Sequence, residues 1–128
     1  MRLLLDTHAF LWWLAGDRKL PARVRRRIAD PHAAVFVSAA SAWEIATKWR
    51  LGKLNEAELV ARDVAGAVGA QGFTPLPISI AHAEHAGRLA VTHRDPFDRL
   101  LIAQARLEGI PVASSDEIFD DFGIERLW

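Results

Sequence analysis

The sequence predicts an α/β fold, a three-layer α/β/α sandwich on a mainly parallel sheet, contained in one domain over residues 1–128. Three observations carry that reading. Short apolar runs alternate with segments of helical periodicity along the whole chain. The first run, Leu3-Leu4-Leu5, is apolar without interruption, as expected of a strand covered on both faces. A length of 128 residues, 51% hydrophobic and 25% charged, suffices for one core but not for two.

The elements follow in order. The leucine run closes at Asp6-Thr7 and hands over to a helix through Phe10, Leu11, Trp12, Trp13 and Leu14, which Gly16 stops. Pro21 opens a second helix reaching about Ile28. Val35, Phe36 and Val37 form the second strand. After Ser38 or Ser41 comes a helix whose Ala42, Ile45, Ala46 and Trp49 keep the i, i+3, i+4, i+7 spacing to near Gly52. Asn55 and Glu58 have the spacing of a capping box, and Val60, Val64, Ala67 and Val68 give the helix behind them a buried stripe ending at Gly72. Residues 73–78 are strand-like, but Pro75 and Pro77 remove ladder donors, so the segment belongs at an edge or is only partly paired. Ser79 caps a helix to about Ala90. Asp95-Pro96 starts the next, whose apolar positions from Phe97 to Leu107 leave little polar surface, so it is expected to be central and buried until Gly109. Residues 111–114 are a fourth strand, and residues 124–128 add a fifth.

Composition excludes several chemistries. There is no cysteine, so disulfides, thiolate nucleophiles and cysteine zinc sites are ruled out. Sixteen basic and sixteen acidic side chains cancel, leaving no global attraction for a polyanion, which would have to be held by local clusters such as Arg23, Arg25, Arg26 and Arg27 or Lys48, Arg50 and Lys53. The apolar stretch at 9–15 is too short to span a bilayer, and the expected location is the cytoplasm.

The chemistry is expected at the carboxyl ends of the strands, where open parallel sheets bind ligands. Asp6 ends the first strand and Asp116 follows the fourth by two residues; Glu44 and Asp98 lie early in helices that open on the same rim. Each has a local alternative: Asp6 as a helix cap, Ser41 with Glu44 and Asp95 with Asp98 as capping boxes, Asp116 as the cap of a short turn, and Glu44 paired with Lys48 on a solvent face. Jointly they are harder to explain so. Several carboxylates gathered in one cleft repel one another unless a cation neutralises them, and an all-oxygen set favours Mg2+, or Mn2+, over zinc. Such an ion can activate water against a phosphodiester. Lys48, Arg50, Arg94 and Arg99 lie near these acids in sequence and are candidate contacts to a substrate backbone, while Thr7, Ser114 and Ser115 are candidates to orient water. His82 and His85 lack a third zinc-type ligand, and His8 and His93 suit local hydrogen bonding better than catalysis. No Ser-His-Asp constellation or glycine-rich phosphate loop is legible.

With those residues in hand, the chain resembles the PIN-domain family, in particular its VapC-like toxins from toxin-antitoxin pairs. The blocks that carry the resemblance run end to end: Leu4-Leu5-Asp6-Thr7-His8, then Ser38-Ala39-Ala40-Ser41-Ala42-Trp43-Glu44-Ile45, then Asp95-Pro96-Phe97-Asp98-Arg99-Leu100-Leu101-Ile102-Ala103-Gln104-Ala105, then Ser114-Ser115-Asp116. The resemblance implies that Asp6, Glu44 and Asp98 are the core metal ligands, Asp116 the more variable fourth acid, and Asp95 a helix cap. It further implies Mg2+-dependent RNA hydrolysis leaving a 5′-phosphate, a homodimer, and a cognate antitoxin that threads into the active-site groove while its own domain binds operator DNA. One of the adjacent Trp12 and Trp13 is a candidate to line that groove or the dimer interface.

Two other readings compete. Phosphoryl transfer on an aspartate also places an acid after the first strand, but a phosphatase of that kind wants a second Asp where His8 stands, and a receiver domain wants a late lysine where none follows Lys53. The other is a PIN-like module that binds RNA or protein without cutting; the presence of all four acids argues against it.

Overall fold

The computed structural model describes residues 1–54, 57–90 and 95–128. Five strands, β1 (Arg2–Leu5), β2 (Ala34–Ser38), β3 (Thr74–Leu76), β4 (Val112–Ala113) and β5 (Arg126–Leu127), form one sheet in the order β3-β2-β1-β4-β5. Every pairing is parallel, with Leu4 opposite Phe36 on one side and Val112 on the other. The proline-bearing β3 is an edge strand as expected, since Pro75 cannot donate to a second neighbour.

Among the described residues, seven α-helices surround the sheet: α1 (Thr7–Ala15), α2 (Ala22–Ala29), α3 (Ala39–Arg50), α4 (Glu58–Arg62), α5 (Val64–Ala70), α6 (Ile80–Arg88) and α7 (Pro96–Glu108). A 3₁₀ helix at Glu117–Phe122 precedes β5. Alternation within β1 divides the interior in two. Leu3 and Leu5 join Phe10 of α1, Val24 and Ile28 of α2, Ile45 of α3 and Val68 of α5 on one face. Leu4 joins Leu101, Ile102 and Ala105 of α7 with Phe119 on the other. All three β1 leucines are fully buried, and each contributes about 1.5–3 kcal/mol, so this one strand anchors both cores. The result is the three-layer sandwich. No helix among the described residues is long and apolar enough to cross a membrane.

Helix ends follow their chemistry. α1 and α7 stop at Gly16 and Gly109, whose φ of 63° and 64° is accessible to glycine without a Cβ penalty. Two local expectations are corrected. The helix expected across Val60 to Val68 is two helices, broken at Asp63, whose side chain leaves α4 to accept from the Gly66 N–H and so begins α5; its expected cap Asn55 lies outside the described residues. The Ser41–Glu44 capping box does not form either. Ser38 caps α3 instead, accepting from the Ala40 N–H at 2.9 Å, because β2 runs directly into the helix.

α3 and α7 are tied together in the interior. Gln104, fully buried on α7, accepts from the Ser38 hydroxyl at 2.5 Å and donates to the Pro77 carbonyl at 3.2 Å. His82 closes a capping box with Ser79 at the start of α6, and its Nε2 meets Glu108 Oε1 at 2.9 Å. This pair of contacts commits His82 to joining α6 and α7.

Candidate active site

Because β2 and β4 flank β1, the chain leaves β1 toward one edge of the sheet and returns for β4 on the other side, so the carboxyl ends of β1 and β4 bound a crevice. Asp6 stands at the end of β1 and Asp116 two residues beyond Ser114 at the end of β4. α3, entered from β2, brings Glu44, and the first turn of α7 brings Asp98. All four acids line a single cleft of about 390 Å³. Asp95 joins them; Thr7, His8, Lys48 and Ser115 complete the described wall.

The carboxylates are held individually. Asp6 Oδ1 accepts from the Ala9 N–H at 2.7 Å and caps α1. Asp95 Oδ1 accepts from Phe97 and Asp98 N–H at 2.9 and 3.3 Å and caps α7. Asp116 Oδ1 accepts from the Ile118 N–H at 3.0 Å and caps the 3₁₀ helix. Glu44 is 5% exposed in the middle of α3, so no helix end serves it; Thr7 Oγ1 donates to its Oε1 at 2.6 Å and Lys48 Nζ to its Oε2 at 2.5 Å. Thr7 also lies 3.0 Å from the Ser41 hydroxyl, linking α1 to α3 behind the acids. The Glu44–Lys48 pair foreseen on a solvent face is thus real, but it lies in the cleft.

Electrostatics single out Asp6. Burial pushes its carboxyl above the usual aspartate range, and the charge of Asp98 adds to that; hydrogen bonds from Ser114 and Ala9 and the proximity of His8 oppose it. Among the described residues, Lys48 is the only lysine or arginine facing five acids in this cleft. That surplus of hard oxygen donors, with no sulfur ligand present, suits a hard divalent cation. As the side chains stand, no three His, Asp or Glu among the described residues are drawn close enough to enclose one ion. Asp6, Asp95 and Asp116 each turn Oδ1 toward a backbone amide.

Thr7, Lys48 and Ser115 reach the cleft, as the sequence suggested; Arg50 and Arg99 do not. The Arg99 guanidinium instead donates to the carbonyls of Ala86 and Leu89 at 3.1 and 2.8 Å, closing the end of α6. Arg94 and His93 lie outside the described residues. Sequence reasoning underrated Asp95 and Ser114: the first both caps and lines the cleft, and the second is the foremost group opposing the burial-driven rise of the Asp6 carboxyl. The position of Ser114 at the end of a strand adjacent to β1 was the available signal. Trp43 on α3 and Phe97 on α7, each one residue before an acid, meet edge to face at 4.6 Å, with Trp43 half exposed.

Residues 3–125 match the PIN domain family. The chain is a PIN-domain protein. Among curated proteins it is 41% identical over 61 residues to Ribonuclease VapC16 of Mycobacterium tuberculosis, an alignment covering 48% of this chain and 43% of that relative. It therefore spans less than half the length of the curated relative it matches. Solved structures agree on the fold. VapBC2 from Rickettsia felis, bound to a DNA fragment from its promoter, aligns with a TM-score of 0.72 at 12% identity over 99% of this chain and 98% of that one. FitAcB from Neisseria gonorrhoeae aligns at 0.64, with 17% identity and 98% and 96% coverage. VapC20 of M. tuberculosis, described as a toxin that cleaves the sarcin-ricin loop, aligns at 0.59, with 20% identity and 95% coverage of both chains.

Beside the acidic cleft of this PIN domain, and sharing His8 with it, lies a larger groove of about 790 Å³ between α1 and the α4 region. Trp12 lines it, packed on Trp128 at 5.8 Å with Lys19 5.7 Å from its ring centroid. Trp13 turns the other way, to Phe73 and Gln71.

Proposed function

We propose that this PIN domain is a divalent-metal-dependent endoribonuclease acting as the toxin of a toxin-antitoxin pair. The observation that carries the reading is the convergence of Asp6, Glu44, Asp98 and Asp116, from four separate stretches of sequence, on one cleft. Its kinship with a protein named a ribonuclease supports the same reaction class.

In this reading Asp6, Glu44 and Asp98 hold Mg2+ or Mn2+, with Asp116 as the fourth acid. When bound, the ion supplies an acidified water and offsets the charge on the phosphodiester. The protein supplies the rest. Burial of Asp6 and Glu44 keeps the carboxylates out of bulk solvent, where their field acts most strongly. Thr7 fixes the Glu44 carboxylate and the Ala9 N–H that of Asp6, and Lys48 and Ser115, on the cleft wall, would meet the RNA backbone. The groove past His8 and Trp12, partly apolar and continuous with the cleft, suits an antitoxin segment that ends among the acids. A homodimer, and operator DNA reached only through the antitoxin, complete the proposal.

The test is cleavage of cellular RNA by the purified chain with Mg2+ or Mn2+, followed by mapping of new 5′ ends. Chelation abolishes cleavage and readdition restores it. Asp6→Asn and Asp98→Asn lose more than the roughly 10–100-fold typical of residues that merely support a metal ligand, while RNA binding persists. Unchanged cleavage in both variants refutes the nuclease; binding without any cleavage by the wild type favours a non-catalytic RNA-binding module.

A further inference from the structure

Lys48 follows Glu44 by one helical turn of α3, and pairs at this spacing commonly lie on solvent faces and contribute little. This one is different. Its ammonium stands 2.5 Å from Glu44 Oε2, the glutamate side chain is 7% exposed and the lysine 32%, and both line the acidic cleft. Thr7 donates to the other oxygen at 2.6 Å, so Glu44 holds a partner on each oxygen. Any cation approaching Glu44 through Oε2 meets an ammonium already in place.

The geometry points to Lys48 as an internal counter-cation that competes with the divalent ion for Glu44 and, once displaced, turns to the RNA phosphate. The inference rests on the metal-dependent reading above. A buried carboxylate without a partner charge is costly, so Lys48 allows α3 to pack Glu44 inward before any ion is present. Lysine suits the task because its charge is compact and its four-carbon stem flexible, whereas a planar guanidinium would lock onto the carboxylate as a fork. Glu44 is also the predicted ligand that lies too far along its helix to cap it, the other three acids being at or within the first turn of a helix. The lysine therefore stands where helix-end amides cannot reach.

Competition has a sign that a purely structural role lacks. Removing a positive charge adjacent to a cation site strengthens cation binding, here by at least about tenfold at the effective dielectric of a partly buried pair. The experiment is calorimetric titration of Mn2+ into the full chain as wild type, Lys48→Met, Lys48→Gln and Lys48→Arg, with RNA cleavage measured at saturating Mn2+. The Met and Gln variants bind Mn2+ more tightly yet cleave with lower kcat/KM, while the Arg variant, whose fork keeps hold of the carboxylate, binds Mn2+ less tightly than wild type. Gln retains a donor to Glu44 and guards against loss of fold in the Met variant; circular dichroism checks both. Unchanged or weaker Mn2+ affinity in folded Met and Gln variants overturns the role of Lys48 alone. Absence of Mn2+ binding in every protein, wild type included, overturns the metal-dependent reading with it.

Discussion

Gln104→Leu tests how the two helices that present Glu44 and Asp98 are held in register. Gln104 is fully buried; it accepts from Ser38, the residue that caps α3, and donates to Pro77 between β3 and α6. Leucine roughly conserves the volume but leaves the Ser38 hydroxyl without its acceptor and the Pro77 carbonyl without its donor. Each unsatisfied buried group costs about 1–3 kcal/mol, and the added apolar burial offsets part of the sum, giving a net loss of about 2–4 kcal/mol. With an unfolding entropy of about 2.1 cal/mol/K per residue, or roughly 0.27 kcal/mol/K for 128 residues, the melting midpoint falls by about 7–15 °C. Thermal denaturation followed by circular dichroism measures this directly. Ser38→Ala and the double variant close a cycle in which the coupling is about 1–2 kcal/mol. A midpoint drop below about 3 °C, or strict additivity, refutes the claim that this bond locks α3 to α7.

Two further outcomes follow from the cleft. Burial raises the Asp6 carboxyl in the folded chain above the usual aspartate range near 3.8, so the native state holds this proton more tightly than the unfolded state does. The stability it contributes is complete below 3.8 and is lost as pH rises through the folded value; metal-free Asp6→Asn is therefore more stable than wild type at neutral pH, with the gap closing on acidification, as paired melts across pH in chelator will record. Thr7→Val removes the hydroxyl that donates to Glu44 Oε1 at 2.6 Å and costs about 1.5–3 kcal/mol, whereas Thr7→Ser recovers most of it; equal melting points for the two variants would exclude the bond as a support for Glu44.

Much of this was readable from the residues because periodicity reports burial. The Leu3-Leu4-Leu5 run gave a strand covered on both faces, and it supplies both cores. Pro75 and Pro77 placed their strand at an edge for a reason that holds in any sheet, the missing N–H. What periodicity does not encode is competition among polar groups for the same backbone amides. Asp63 breaks a stripe that the apolar positions alone would have continued, and Ser38 rather than Ser41 caps α3 because β2 runs into that helix with no residues left for a turn. Arg99 was grouped with substrate contacts by its proximity to Asp98 in sequence, yet adjacent positions on a helix point about 100° apart, and its guanidinium closes α6 instead. Glu44 with Lys48 was the subtler case: the pairing follows from spacing, but whether it faces water or a cleft depends on β2 and α7, distant in sequence.

In the candidate site, capping a helix and lining the cleft are not alternatives. Asp6, Asp95 and Asp116 each cap a helix through Oδ1, and each lines the cleft. In an open parallel sheet this coincidence has a cause. A helix entered from a strand, as α1 is from β1 and the 3₁₀ helix is from β4, starts at the carboxyl rim, where its unpaired N–H groups and the positive end of its dipole stabilise a carboxylate, while Asp95 reaches the same cleft at the start of α7, which follows α6. The same rim is where a ligand binds. An acid placed there is held by the helix it begins, which fixes its position and lowers the cost of its charge, as the Ala9 N–H does for Asp6. Helix capping is thus one means by which the fold gathers negative charge in the cleft. Glu44 follows from the same logic by exception: with no helix end beside it, its burial requires the hydroxyl of Thr7 and the ammonium of Lys48.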